Sequence, residues 1–222
     1  MTSSAPGSAR TDAGQAVYTR PVLAAYDLFV LRFSNRFVWR CPWPRLLAHY
    51  DRQMSANHLD VGVGTGFFLD RCRFPVPRPR LALLDLNANS LAVSGRLLAR
   101  YRPEIYRADV LAPIDIDVPV FSSIGLNYLL HCLPGTISDK GAVFRHLKPL
   151  LAPGGVMFGA TLLHGGVDRS WPARRLMAVY NAKGIFDNAH DDLEGLRAML
   201  AEHLDAVSVD VVGCAALFSG HA

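Results

Sequence analysis

The stretch that most restricts how this chain can fold is LDVGVGTG, residues 59–66. A short apolar run ends in glycines at every second position, Gly62, Gly64 and Gly66, and residues 67–73 then read as a helix. Glycine reaches backbone angles closed to other residues, and it has no side chain to keep a ligand away from the amides. A strand passing through such a turn into a helix reads as the opening of a βαβ unit.

The rest of the chain continues that pattern. Residues 58–63, 80–86, 104–110, 118–126 and 155–163 read as strands. Between them, residues 89–101 and 137–151 read as helices, the first with Asn89 as its N-cap. Strand and helix alternate from residue 58 to 163, which predicts an α/β fold of three layers, doubly wound around a mostly parallel sheet. Past a helix at 191–203, AVSVDVV and AALFSGHA flank Gly213 and predict a terminal antiparallel pair. Before the core, residues 17–39 carry aromatic and aliphatic side chains at helical spacing, broken near CPWP, and a helix runs from Pro44 to about Met54. The expected organisation is a tail at 1–14 and one domain at 15–222. Within that domain, 15–56 form a helical cap, 57–222 the core, and 164–188 an irregular substrate-side insertion with a short helix near 173–180.

Composition narrows the function classes. With 222 residues and 50% hydrophobic content, the chain can bury one ordinary core. The net charge is +4, and the positive charge is nearly all arginine, since lysine occurs only at 140, 148 and 183. Such a charge permits contact with nucleic acid without arguing for it. Cys41, Cys72, Cys132 and Cys214 are scattered, with no metal-ligand spacing, so no metal is expected and reduced thiols in a cytoplasmic protein are the simplest account. No run approaches the ~20 apolar residues of a membrane span.

Two carboxylates add chemistry to the glycine turn. Asp85 ends the second strand, nineteen residues beyond Gly66, where a carboxylate can accept hydrogen bonds from both hydroxyls of a ribose. Asp109 ends the third strand, where an adenine amino group could be met. The dinucleotide fingerprint GxGxxG would need glycine at 67, but Phe67 stands there and the spacing is GxGxG.

In order and spacing, LDVGVGTG, LLDLN, ADV, FSSIGLNYLLHCLPG and LKPLLAPGGVMFG resemble the class I S-adenosylmethionine-dependent methyltransferases. The resemblance covers roughly residues 45–163, and the terminal strand pair extends it. It implies a seven-stranded sheet whose last strand is antiparallel, with S-adenosylmethionine as cofactor across the strand ends and S-adenosylhomocysteine as product. Asp60, Gly62, Gly64 and Gly66 would line the methionine part. Asp85 and Leu86 would hold the ribose and pack the adenine, Asp109 and Val110 would flank the base, and Asn127 would pass the sulfonium. Two departures bear on a catalytic base. Phe121 is followed by Ser122, where the family usually has an acidic residue, and His131-Cys132 stands where many relatives have a His-His pair.

Methyl transfer from a sulfonium asks the protein chiefly for alignment, and a general base is needed only if the acceptor must lose a proton. His131, after the fourth strand, and His164, after the fifth, are the candidate bases, each weighed against a structural role. Tyr18 and Tyr26 are candidate substrate contacts, with plain packing as the alternative. Residues 26–39 are also similar to the N-terminal helices of quinone-biosynthesis C-methyltransferases, which cover the cofactor. The expected partner is a small apolar or aromatic acceptor, with no nucleic acid and no membrane. Oligomeric state and acceptor atom stay open. The rivals are an RNA or protein methyltransferase using the arginines at 71, 73, 78 and 80 and the later ones at 96, 100 and 102, a protein that binds the cofactor without transferring methyl, and a nicotinamide dehydrogenase.

Overall fold

The computed structural model describes residues 34–222. Residues 34–38 form a π-type helical turn, closed by the Trp39 N–H on the Ser34 carbonyl at 2.8 Å. The elements then run α1 (Trp43–Gln53), β1 (Asn57–Val61), α2 (Phe67–Arg71), β2 (Arg80–Asp85), α3 (Ala88–Leu97), β3 (Glu104–Arg107), β4 (Phe121–Asn127), α4 (Gly141–Leu147), β5 (Leu151–Leu162), α5 (Trp171–Ala182), α6 (Leu193–His203), β6 (Asp205–Val212) and β7 (Ala215–His221).

The seven strands form one sheet in the order β3-β2-β1-β4-β5-β7-β6. The pairs from β3 to β5 are parallel, and β7 runs antiparallel to both of its neighbours. Position in the sheet explains the sequence pattern. Central strands are covered on both faces and read as apolar runs, such as RLALLD of β2. The edge strands β3 and β6 alternate between exposed and half-buried residues instead.

Successive residues of β2 serve opposite layers. Leu81 and Leu83 pack with Leu46 and Tyr50 of α1, Leu91 of α3, and Ala173 and Met177 of α5. Ala82 and Leu84 pack with Val143, Phe144 and Leu147 of α4 and with Leu196 and Leu200 of α6. The expected three-layer, doubly wound α/β fold, with a seven-stranded sheet and an antiparallel last strand, is the fold observed.

Several local expectations are corrected. The N-cap of α3 is Asn87, not Asn89: its side chain accepts the N–H groups of Asn89 and Ser90 at 2.8 and 3.4 Å. The helix expected over 137–151 is confined to Gly141–Leu147. A turn precedes it, in which Asp139 accepts from the Thr136 N–H and hydroxyl at 2.9 and 2.7 Å, and a tight turn with Pro149 follows it. β5 begins at Leu151 rather than Gly155, its pairing with β4 irregular where Pro153-Gly154-Gly155 interrupt the ladder. The stretch 164–188 is more regular than expected. Ser170 caps a twelve-residue α5, and Pro172 occupies its first turn, where a missing N–H costs nothing.

Two long-range ties hold peripheral segments to the core. The Cys214 N–H donates to the Trp39 carbonyl at 2.9 Å, and at Gly213 (φ +60°) a Cβ would run into that same carbonyl. Lys140, wholly buried, donates to Asp191 Oδ2 at 2.5 Å and to the Asp187 carbonyl at 2.7 Å, so the segment after α5 is bolted to the start of α4.

Candidate active site

A cleft opens where β1, β2, β3 and β4 end, the crevice that open α/β sheets offer to ligands. Asp60, Gly62, Gly64, Gly66, Asp85, Leu86, Asp109, Val110 and Asn127 all line it. Strand order sets their sequence across the cleft: Asp109 and Val110 follow β3, Asp85 and Leu86 come at the end of β2, the glycine turn follows β1, and Asn127 ends β4.

The turn after β1 is compact because its glycines have positive φ, 69° at Gly62, 54° at Gly64 and 80° at Gly66. At Gly62 an added Cβ would lie 2.8 Å from Leu129 Cδ1, so the backbone there passes closer to the loop after β4 than any other residue would allow. At Gly64 a Cβ would meet nothing within 4 Å, and the backbone stands open to the cleft.

Asp85 is a carboxylate prepared before any ligand arrives. Oδ1 accepts the Asn87 N–H at 2.8 Å, and Oδ2 accepts the Gly64 N–H at a long 3.4 Å. Burial nevertheless pushes its carboxyl up to about 6, against the pull of those two N–H groups, and the Asp60 charge adds to the rise. Asp109 is tied locally, with Oδ1 accepting the Leu111 N–H at 2.9 Å. Asp60 accepts the Tyr50 hydroxyl at 2.9 Å, and burial beside that carboxylate raises the tyrosine well above its usual range, so it stays a donor.

The two histidine candidates are placed elsewhere. None of the chain's eight histidines lines the cleft. His131 is buried behind the loop after β4, its ring 4.5 Å from that of Phe186. Its Nδ1 accepts the Leu162 N–H at 3.3 Å, and burial, helped by the Lys140 charge, drives it down to about 3. A neutral ring whose acceptor nitrogen is already taken does not fit the role of a base. His164 is not among the residues that line the cleft; its backbone N–H donates to the Asp191 carbonyl at 2.9 Å, and burial lowers its imidazole as well. Tyr18 and Tyr26 lie outside the described residues.

Several cleft residues went unremarked in the sequence. Tyr128, Leu129, Cys132 and Leu133 follow Asn127 directly, so the end of β4 was their signal. Tyr50 and Ile185 come from α1 and from the segment after α5, and nothing local marks them.

The residues could hold a nucleoside carrying a charged tail: a carboxylate for vicinal hydroxyls, apolar residues for a base, and a side-chain-free turn beside a second carboxylate. The comparisons agree. Residues 59–157 match the family model described as a methyltransferase domain. The chain is 40% identical to demethylluteothin O-methyltransferase of Streptomyces thioluteus over 205 residues, covering 92% of this chain and 89% of that one. It is 37% identical to the physcion biosynthesis cluster O-methyltransferase of Aspergillus chevalieri over 212 residues, 94% of each. Among solved structures, the complex of DhpI with S-adenosylhomocysteine superposes with a TM-score of 0.69 at 16% identity, covering 99% of this chain and 98% of that one. The chain belongs to the class I S-adenosylmethionine-dependent methyltransferases. It is an enzyme that takes its methyl group from S-adenosylmethionine and passes it to a small acceptor. Among the described residues, no helix is long and apolar enough to cross a membrane.

Proposed function

We propose that the chain is a cytoplasmic O-methyltransferase whose acceptor is an acidic hydroxyl, a phenol or enol, on an apolar small molecule. The observation that carries this reading is a cleft furnished with carboxylates and apolar groups but with no histidine. The donor supplies an already activated methyl group. The protein's share is then to align, and alignment alone can account for about 7–11 kcal/mol of barrier in favourable cases. An acceptor that ionises by itself needs no protein base.

In this reading Asp85 accepts the ribose hydroxyls, and Leu86, Asp109 and Val110 surround the base. Asp60 and the turn Gly62–Gly66 take the methionine end, and Asn127 stands at the sulfur. The acceptor enters beyond β4, among Tyr128, Leu129, Cys132, Leu133 and Ile185. Two relatives named as O-methyltransferases support oxygen as the acceptor atom.

The test is to incubate the protein with S-adenosylmethionine and matched phenols, anilines and carboxylic acids, measuring S-adenosylhomocysteine and the methylated product. Phenyl methyl ethers are the expected product, and turnover confined to anilines would overturn the reading. With two phenols of different acidity, the pH at which kcat/KM levels off should move with the acceptor. A break at one pH for both would identify a protein base instead.

Donor affinity should also depend on pH. Two hydroxyl donors need the ionised form of Asp85, and the free carboxyl holds its proton up to about 6. Binding therefore expels that proton below about 6, and affinity should drop about tenfold per pH unit there and stay level above it. Calorimetric titration with S-adenosylhomocysteine across that range checks the sign, and constant affinity would contradict it.

A further inference from the structure

Behind the cleft floor runs a chain of polar side chains that the cofactor assignment does not use. His58, wholly buried on β1, has Nε2 3.4 Å from Asp60 Oδ2 and Nδ1 2.8 Å from Ser123 Oγ on β4. Ser123 Oγ in turn lies 2.8 Å from Ser55 Oγ and accepts the Ser55 N–H at 3.1 Å. The Ser55 hydroxyl is committed to the Asn57 carbonyl at 2.8 Å. Ser123 can therefore give its proton to His58 Nδ1, which leaves the Nε2–H to donate to Asp60.

Residues two apart on a strand share a face, so the ring and the carboxylate stand side by side. The neighbouring strand clears the space for them. At Gly125 on β4 an added Cβ would lie 3.0 Å from Asp60 Oδ2 and 3.1 Å from His58 Cε1. Phe158 of β5 closes the ring in, its centroid 5.7 Å from that of His58. From α1, Tyr50 donates to the same carboxylate oxygen at 2.9 Å, its own ring stacked on Phe68 at 5.4 Å. Both donors land on Oδ2. Among the described residues none donates to Oδ1, and Asp60 lines the cleft.

We infer that His58 and Tyr50 are positioning residues, holding Asp60 by one oxygen so that the other receives the α-ammonium of the donor's methionine end. A carboxylate on a free side chain would sweep through several rotamers, whereas one held from a strand and from a helix presents Oδ1 in one direction. The inference rests on the proposed placement of the methionine end over Gly62–Gly66.

The test compares two ligands that share adenosine and a thioether. S-adenosylhomocysteine carries the ammonium; 5′-methylthioadenosine lacks the whole amino-acid end. For His58→Leu, affinity for S-adenosylhomocysteine should fall about tenfold, the scale of one charged hydrogen bond, while that for methylthioadenosine stays within about twofold. His58→Gln, which returns an N–H donor at similar reach, should recover most of the loss. Tyr50→Phe, a gentler change should the leucine variant fold poorly, should show the same selectivity at smaller size. Equal weakening of both ligands, or no weakening of either, overturns the inference while leaving the donor site standing. Wild-type protein that binds neither ligand overturns the donor placement itself.

Discussion

Lys140→Met should lower folding stability by about 3–5 kcal/mol, the cost of removing one partner from a buried ion pair. Both side chains are shut away from solvent, 0% and 1% exposed. Without the ammonium, the Asp191 carboxylate would stand in the interior with no cation beside it, and among the described residues its Oδ1 already has no hydrogen-bond partner. Burial raises that carboxyl even with the lysine present. The variant should therefore melt roughly 10 °C lower, taking about 2–4 °C per kcal/mol for a chain of this size. Lys140→Met combined with Asp191→Leu should regain most of the loss, because two apolar groups leave no charge to solvate. A single variant as stable as the parent in thermal unfolding would show that water reaches the pair. The consequence extends to the site: the same lysine holds the Asp187 carbonyl, two residues beyond Ile185 in the cleft wall.

Asp85→Asn should act in opposite directions on stability and on binding. Unfolded, the carboxyl ionises near 3.8; folded, it keeps its proton up to about 6. Ionisation thus costs the folded protein more, and stability falls as pH rises through that window, by on the order of 3 kcal/mol when complete. At neutral pH an amide escapes this cost but loses the bond from the Gly64 N–H. The net gain should be about 1–2 kcal/mol, a rise of a few degrees in the ligand-free Tm. Affinity for S-adenosylhomocysteine should meanwhile fall by about 1–3 kcal/mol, or about 5- to 150-fold, because an amide nitrogen cannot accept from the second hydroxyl. Scanning calorimetry with and without ligand reads both. An asparagine variant that binds normally would remove Asp85 from the ribose site.

Much of the cleft was legible because its residues sit where local pattern changes. A run of buried strand residues that stops at a glycine or a carboxylate marks a strand end, and in a parallel sheet the strand ends meet. All nine residues expected to hold the donor line one cleft for this reason. Helix boundaries were less legible. Asn87 and Asn89 are equally good caps in isolation, and the choice between them depended on where Asp85 captured the Asn87 N–H at 2.8 Å. The histidines show the limit of such patterns: position after a strand end says that a residue is near the cleft, not which way its ring turns. His131 turned inward, to the Leu162 N–H and Phe186.

The sequence by itself determined the doubly wound order of elements, the glycine turn and the carboxylates that face it. Those depend on backbone sterics and on the period of burial, which neighbours along the chain express. Only the tertiary structure decided that Tyr50 of α1 reaches the Asp60 oxygen that faces His58, that Lys140 pairs with Asp191 51 residues away, and that Ile185 closes a wall. Contacts of that kind join residues whose local sequences carry no trace of one another, because burial and direction are settled by packing between layers.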